Sequence, residues 1–494
     1  MTILPQPRHW IATAGMLGGG LAAASLAVML PQLGPKGAAG LLGFGMIGAI
    51  ILGTGRPKEV FLSFTVLALT YNRQYFDAFD GIFGGRPGEG LYWIPADLML
   101  VCLFATSVVE RCLGRDTAPP RVREFAAAPV LPFLVVALLS TLLAERIDLA
   151  AADTARIAKF ALLLIWLHRN MTRSLWLTLV GALAASVTLQ ASLGTLQVVF
   201  KAGQSLLSIV GAGGPDALPE EIDNRARGTL GHPNMIAPYL LMLAPGAFGV
   251  AVFSRHAPLR LLALLVTIVA VVGMVATKSR APGLLLLVAL AGVALVGVWL
   301  RTLSPKVLLG GGIWVLLAIA LALLPFLHDI VERFRSDFGV SVTFRANYNH
   351  AGMLVFSENP LLGIGFGGSP ERMARLWWVI ADELQQISRF AHLAGVRAAA
   401  PIHNVYVLML AEAGALGCLG FCILLFGIVL RGIRGAVLTN AGSRGVCIGL
   451  TFGLLVQIVQ QTIDFSLWWD PSFFTLALIA AALGTAPRVR PGLP

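Results

Sequence analysis

The chain has 494 residues, of which 57% are hydrophobic and 12% charged, and its mean hydropathy is +0.81. Soluble domains carry about a quarter charged residues, so a water-soluble globular or disordered protein is excluded and a polytopic membrane protein remains. The net charge of +11 is spread over short loops, and no basic run with interleaved aromatics marks a nucleic-acid surface.

A helix needs roughly 20 apolar residues to cross a bilayer. In chain order, apolar runs near that length occupy 11–30, 37–54, 59–71, 92–109, 128–143, 156–168, 174–199, 234–253, 258–277, 281–300, 307–327, 403–430, 445–463 and 472–486. The expected fold class is therefore an all-α polytopic membrane protein of about twelve to fourteen transmembrane helices. It reads as four segments: N-terminal helices (1–169), helices with the first motif-bearing outer loops (170–327), one large outer loop (328–402) and C-terminal helices (403–494). The first run is embedded in the span pattern and is not followed by a small-residue cleavage site, so it reads as a span rather than a removable signal.

Lys and Arg in short loops are retained on the cytoplasmic side. With the N-terminus inside, alternate loops carry Arg56 and Lys58; Arg111, Arg115, Arg121 and Arg123; Arg169 and Arg173; Arg255 and Arg260; Arg301 and Lys306; Arg431, Arg434 and Arg444; and the tail residues Arg488 and Arg490. The positive charge is thus mostly a topology signal, with both termini cytoplasmic. Cys102, Cys112, Cys418, Cys422 and Cys447 fall in apolar runs or on the inner side, so no disulfide is expected. Neither a CxxC pair nor an HExxH helix occurs, and the outer His and acidic residues lack ligand spacing, so no metal is expected.

The outer face is unequal. Segments 72–91, 200–233 and above all 328–402 are long, and loops beyond roughly 12–15 residues are usually functional or disordered. Within the last, "ERMARLWWVIADELQQISRFAHLAGV" sets Met373, Leu376, Trp377, Ile380 and Leu384 on one helical face, a helix suited to lie on the membrane, roof a cavity or simply close the outside.

Four polar clusters open or close apolar runs on that face. "RARGTLGHPN" holds Arg225, Arg227, His232 and Asn234, with Gly228, Gly231 and Pro233 forming a turn. Its arginines suit a phosphate group or an ion pair with Asp223 or Glu221. "VATKSRAPGLLLLV" places Lys278 and Arg280 in a connection of a few residues. There, charge costs up to roughly 2.5–3.5 kcal/mol on insertion scales, so the pair either binds a ligand or snorkels to headgroups. "VTFRANYNHAGMLVFSENPLLGIGFG" carries Arg345 on a helix over 343–357 before a Gly-rich turn, a ligand arginine or a structural ion pair. "PIHNVYVLMLAEAGALG" puts His403 and Asn404 at the first turn of a span. The unpaired N–H groups there suit an anion and favour a neutral, basic imidazole, although a lone His is also a common helix cap.

The segments "GTLGHPNMIAPYLLMLAPG", "TKSRAPGLLLL", "FRANYNHAGMLVFSENPLLGIGFGG" and "PIHNVYVLMLAEAGALG", in that order, resemble the shared motifs of the bacterial O-antigen ligase and polysaccharide polymerase superfamily. The likeness covers roughly residues 170–480; the first spans are similar only in hydropathy. The resemblance implies an all-helical fold like that of the C-type glycosyltransferases, with a large periplasmic loop over a cavity. It implies a glycan on undecaprenyl diphosphate as donor, a glycan or lipid A-core acceptor, and neither metal nor nucleotide sugar as cofactor. By the same resemblance Arg280 and Arg345 bind the diphosphate and His403 activates the acceptor hydroxyl. Ala281 stands where the family often has Gly after its Ser-Arg pair.

The residue types suit that chemistry. Displacing a lipid diphosphate from an anomeric carbon builds negative charge on the leaving oxygen, and the planar, permanently charged guanidinium meets it in place of a divalent metal. The expected function is an inner-membrane inverting glycan transferase with its site at the periplasmic face, a polymerase of O-antigen or exopolysaccharide in which Arg225 and Arg227 serve a second lipid diphosphate, with an O-antigen ligase as the alternative. A lipid-linked oligosaccharide flippase or other transporter would show broken, charged helices at the midplane or matching halves, and the sequence shows neither clearly. A membrane scaffold leaves the four polar clusters unexplained.

Overall fold

The computed structural model describes residues 46–71, 95–114, 129–200, 225–306, 310, 338–376, 402–439 and 441–487. The chain divides into two compact units, Met1–Phe61 and Leu62–Pro494. Of the first, residues 46–61 are described, helical apart from the bend at 55–56. The helices are α1 (Pro57–Leu69), α2 (Pro95–Cys112), α3 (Val130–Leu143), α4 (Ile147–Asn170), α5 (Arg173–Phe200), α6 (Pro233–Phe253), α7 (Ala257–Ala276), α8 (Arg280–Trp299), α9 (Phe338–Glu358), α10 (Val405–Leu438), α11 (Ala441–Gln460) and α12 (Asp470–Gly484), with a 3₁₀ turn at Ser466–Trp468.

No β-strand occurs among the described residues. Six of their helices, α5, α6, α7, α8, α10 and α11, are long and apolar enough to cross a membrane, and α3 and α12 are shorter apolar helices. The protein is thus an all-α polytopic membrane protein. The runs expected at 11–30 and, apart from Gly310, at 307–327 lie outside the described residues, as do Trp377, Ile380 and Leu384 of the expected loop helix. Most boundaries agree with the apolar runs, but α4 starts at Ile147 rather than 156. Asp148, Asp153 and Arg156 in its opening turns mask the helix from hydropathy. Ion pairs of Arg156 with Asp153 at 3.0 Å and with Asp470 of α12 at 3.1 Å let it stand beside the apolar bundle.

At the centre lies α6. Of its apolar window 89% is buried, against 33% for α7 and α8, so protein surrounds α6 while lipid faces the other two. Its closest partner is the antiparallel α11. Hydrophobic burial gives no preference for helix over lipid inside a bilayer, so close contact depends on small residues that let backbones touch. Gly445, Gly449 and Gly453 recur every fourth residue on one face of α11. A β-carbon on each would overlap, respectively, the carbonyl oxygens of Gly249, Pro245 and Met242 on α6, and one on Gly249 would overlap the Gly445 carbonyl. The same device brings α5 to α7, where a β-carbon on Gly273 would lie 2.6 Å from that of Ala191.

Gly449→Ala is expected to lower stability by about 1–3 kcal/mol through overpacking. Gly442→Ala on the same helix, with nothing within 4 Å of the added carbon, should change stability by less than about 0.5 kcal/mol. Thermal unfolding of the two variants in detergent, compared with the parent, measures the difference.

Candidate active site

The turn before α6 is set from beneath by two glutamines of α5. Gln197 Oε1 accepts from the backbone N–H groups of Arg227 (3.0 Å) and Gly228 (2.9 Å), and its Nε2 donates to the Gly228 carbonyl at 3.1 Å. Gln190 accepts from the Thr229 N–H at 2.9 Å and donates to its hydroxyl at 2.6 Å. Gly228 takes φ +55° and Gly231 φ +82°, a backbone region that favours glycine. His232 then caps α6, its Nδ1 accepting from the Asn234 N–H at 3.1 Å.

Arg225, 6% exposed, ties this turn to the α7–α8 connection. Its Nε donates to the Thr277 carbonyl at 2.8 Å, and one terminal nitrogen donates to Asn234 Oδ1 at 3.2 Å and to Ser279 Oγ at 3.0 Å. The adjacent Ala226 N–H bonds the Ala276 carbonyl at 2.9 Å. Lys278 adopts φ +52°, uncommon for a residue with a side chain and a feature of tight functional turns. Arg280 occupies the first position of α8, directly after Ser279.

A second half of the site comes from three chain ends. Arg345 and Tyr348 lie one turn apart on α9. Asn404 caps α10, its Oδ1 accepting from the N–H groups of Tyr406 (3.0 Å) and Val407 (3.3 Å). His403 therefore stands just before the helix rather than in its first turn. The Val405 N–H bonds the carbonyls of Gln461 (3.1 Å) and Asp464 (3.0 Å) beyond the end of α11. The His403 ring is stacked on Tyr348, centroids 5.6 Å apart at 24°, and meets Phe465 edge-on at 5.4 Å.

Electrostatics join the halves. Burial lowers the pKa of His232 to about 4, and the charges of Arg225, His403 and Arg227 act in the same direction. His232 is thus neutral at pH 7, as an Nδ1 that accepts a hydrogen bond requires. Asp464, 8% exposed, is pushed the other way by burial. That rise is opposed by its bonds from Gln460 (2.9 Å) and the Phe465 N–H (2.8 Å) and by the charge of Arg345. Arg225, Arg227 and His403 accordingly each lie within electrostatic reach of His232, and Arg345 lies within reach of Asp464. Lys278 and Arg280 flank the residue that Arg225 grips.

Residues 262–422 match the family model described as O-antigen ligase. These residues are similar to the O-antigen ligase family. No curated protein matches the chain. The matched residues include Lys278, Arg280, Arg345, His403 and Asn404, while Arg225, Arg227, His232, Asn234 and Asp464 lie outside them.

Within the matched residues one feature goes beyond the sequence reading. Helix α10 is broken at Gly414, which takes φ 69° and ψ −172°, beside Glu412, 2% exposed; this is the broken, charged helix that the sequence does not show clearly. The segment following α9 fills the break. Ile364 and Gly365 donate to the carbonyls of Ala411 (3.1 Å) and Glu412 (2.9 Å), while Ala415 and Leu416 donate to those of Pro360 (2.8 Å) and Leu361 (3.3 Å). Glu412 Oε1 accepts from the hydroxyl of Ser369 at 2.7 Å and its N–H at 3.3 Å. A β-carbon on Gly363 would overlap the Glu412 backbone, and one on Gly414 the Leu361 backbone. The break is invisible in sequence because its partners lie far away in the chain. Asp464, Gln190 and Gln197 were also missed, although each is a polar residue in or at the end of an apolar run, the signal that marks His403.

Because folding depresses the His232 pKa from 6.5 to about 4, the unfolded chain takes up a proton that the native state refuses. Stability is fully present above pH 6.5, falls by up to roughly 3 kcal/mol as the pH drops towards 4, and is flat below. His232→Asn keeps a capping acceptor and removes this slope. Unfolding of both proteins across pH 4–7.5 should show the parent losing its advantage on the acid side and the variant losing less.

Proposed function

We propose that the site transfers a glycan from a polyprenyl diphosphate to a sugar hydroxyl without a metal. The observation that supports this best is the convergence of His403, Arg225 and Arg227 around His232, in a chain whose residues 262–422 are similar to the O-antigen ligase family. In this reading the acceptor hydroxyl attacks the anomeric carbon and the bond to the diphosphate oxygen breaks. The electron pair leaves with the lipid diphosphate, and the acceptor proton passes to His403. Attack opposite the leaving group inverts the centre. Arg280 and Arg345 meet the charge that develops on the diphosphate, with Lys278 and Arg227 at the rim. Donors fixed before the reaction cost no reorganisation when that charge appears, and the clamp made by Arg225, Asn234 and Ser279 holds the rim in that manner.

The acceptor separates two forms of the reaction. A polymerase holds two lipid diphosphates, for which Arg225 and Arg227 were the second set of cations. With two of its three guanidinium nitrogens committed to Thr277, Asn234 and Ser279, Arg225 acts as a structural clamp, which favours a single diphosphate and a ligase-type transfer to lipid A core at the periplasmic face of the inner membrane. The transporter reading gains little from the broken α10, because that break is closed by the protein's own backbone rather than by a translocated ion.

Arg280→Ala and Arg345→Ala should each abolish transfer with folding intact. Lys at either position should rescue poorly, since it lacks the guanidinium fork. His403→Ala should lose at least about 10²-fold in turnover while retaining donor binding. Purified protein given one undecaprenyl-diphosphate-linked repeat unit should leave it unextended and transfer it once lipid A core is supplied. A ladder of longer glycans without that acceptor would establish the polymerase instead, and undiminished turnover in any of the three alanine variants would remove that residue from the chemistry.

A further inference from the structure

Four rings run in a row through the site. Tyr348, 2% exposed, stacks on His403, His403 meets Phe465, and Phe465 meets Trp469 with centroids 5.7 Å apart at 49°. The row begins buried and ends in the open, because Trp469 is 37% exposed. Its neighbour Trp468 does the reverse. That ring is 7% exposed, stacked on Phe366 at 5.3 Å, and has the Arg156 guanidinium 4.4 Å from its centroid. The dipeptide therefore splits, one indole filling the core and the other standing out beside Phe465.

The position of Trp469 is set by backbone. Its N–H bonds the Ser466 carbonyl at 3.3 Å, its own carbonyl accepts from Phe473 at 2.8 Å, and α12 starts immediately after it. Phe465 is anchored equally well, since its N–H donates to Asp464, whose carbonyl accepts from Val405 two residues after His403. The half-buried Phe465 and the exposed Trp469 are thus held in register with the imidazole.

An exposed indole at the end of a membrane bundle often anchors in the headgroup layer, but that use requires no continuity with a catalytic imidazole. Phe465 and Trp469 offer flat apolar faces and no charge, unlike the cationic rim formed by Lys278 and Arg280. A diphosphate belongs on the rim. A pyranose ring, uncharged and with one face made of C–H bonds, belongs on the aromatic faces, where C–H contacts to π-systems add to burial. We propose that Trp469, with Phe465 beside it, is the stacking platform for the acceptor sugar and delivers one of its hydroxyls to His403. This rests on the transferase reading given above.

The test uses the full chain in lipid nanodiscs and a lipid-free core oligosaccharide as the acceptor probe. Trp469→Leu keeps an apolar side chain able to sit in lipid but removes the ring; Trp469→Phe restores a ring. Trp469→Leu should raise the acceptor KM by about tenfold, with the loss falling on KM rather than kcat and donor binding retained, and Trp469→Phe should recover most of it. In saturation-transfer NMR without donor, the sugar C–H protons should receive saturation from the parent and the Phe variant but not from the Leu variant. An unchanged acceptor KM and unchanged saturation in Trp469→Leu would overturn the platform while leaving the transferase reading standing. Ring-dependent saturation in a parent protein that transfers no glycan would instead keep the platform as a sugar site and overturn the transferase reading.

Discussion

A helix cannot stop inside a bilayer without finding partners for the backbone groups it abandons. The interruption of α10 at Gly414 exposes carbonyls at Ala411 and Glu412 and N–H groups at Ala415 and Leu416, and residues 360–365 supply every one of their counterparts. That exchange is the constraint on which the site depends. It pins the chain leaving α9, which carries Arg345 and Tyr348, to the helix that His403 introduces. The buried Glu412 adds a second tie through Ser369, and on the surface Arg146 bridges to Glu371 at 2.9 Å while Arg372 bridges to Glu358 at 2.8 Å. Exposed pairs of this kind contribute little individually; the backbone bonds sealed within the protein carry most of the positioning.

The remaining groups are arranged by a similar economy of contacts. Arg225 shares its donors among three protein acceptors, which rigidifies two turns at once. Neutral His232 closes the end of α6 without adding another charge to a crowded cationic rim. The glycine face of α11 brings that helix against α6, so that the end of α11, with Asp464 and Phe465, comes to lie near the turn that starts α6. Long side chains at the site are thus aimed by very close backbone packing some distance away.

Much of this was legible in the sequence. Apolar runs located the helices α5 to α8, α11 and α12 to within a few residues, because lipid demands a continuous apolar stretch, while α10 runs on to Leu438, past the expected end at 430. The polar clusters around Arg225, Arg280, Arg345 and His403 stood out for the same reason, as charges where charge is costly. What escaped were features created by distant partners. The start of α4 was hidden because its charges are paired with residues such as Asp470, more than 300 positions away. The break in α10 reads as an ordinary small-residue step until residues 360–365 are placed against it. Arg225 looked like a ligand arginine since no local pattern reveals three acceptors, two of them contributed by the distant α7–α8 connection.

The two glycines at the break have a bearing on how such proteins can be recombined. Gly363 and Gly414 each sit where a β-carbon would overlap the other strand's backbone, so neither segment tolerates a partner of different shape. A chimera that exchanges the loop after α9 between two homologous proteins would bring a foreign backbone against Ala411–Leu416 and leave a span unsealed. The segments 359–369 and 411–416 therefore form one inheritable module despite their separation in the gene, and exchanges between homologues are compatible with the fold only where the crossover points keep both from the same parent.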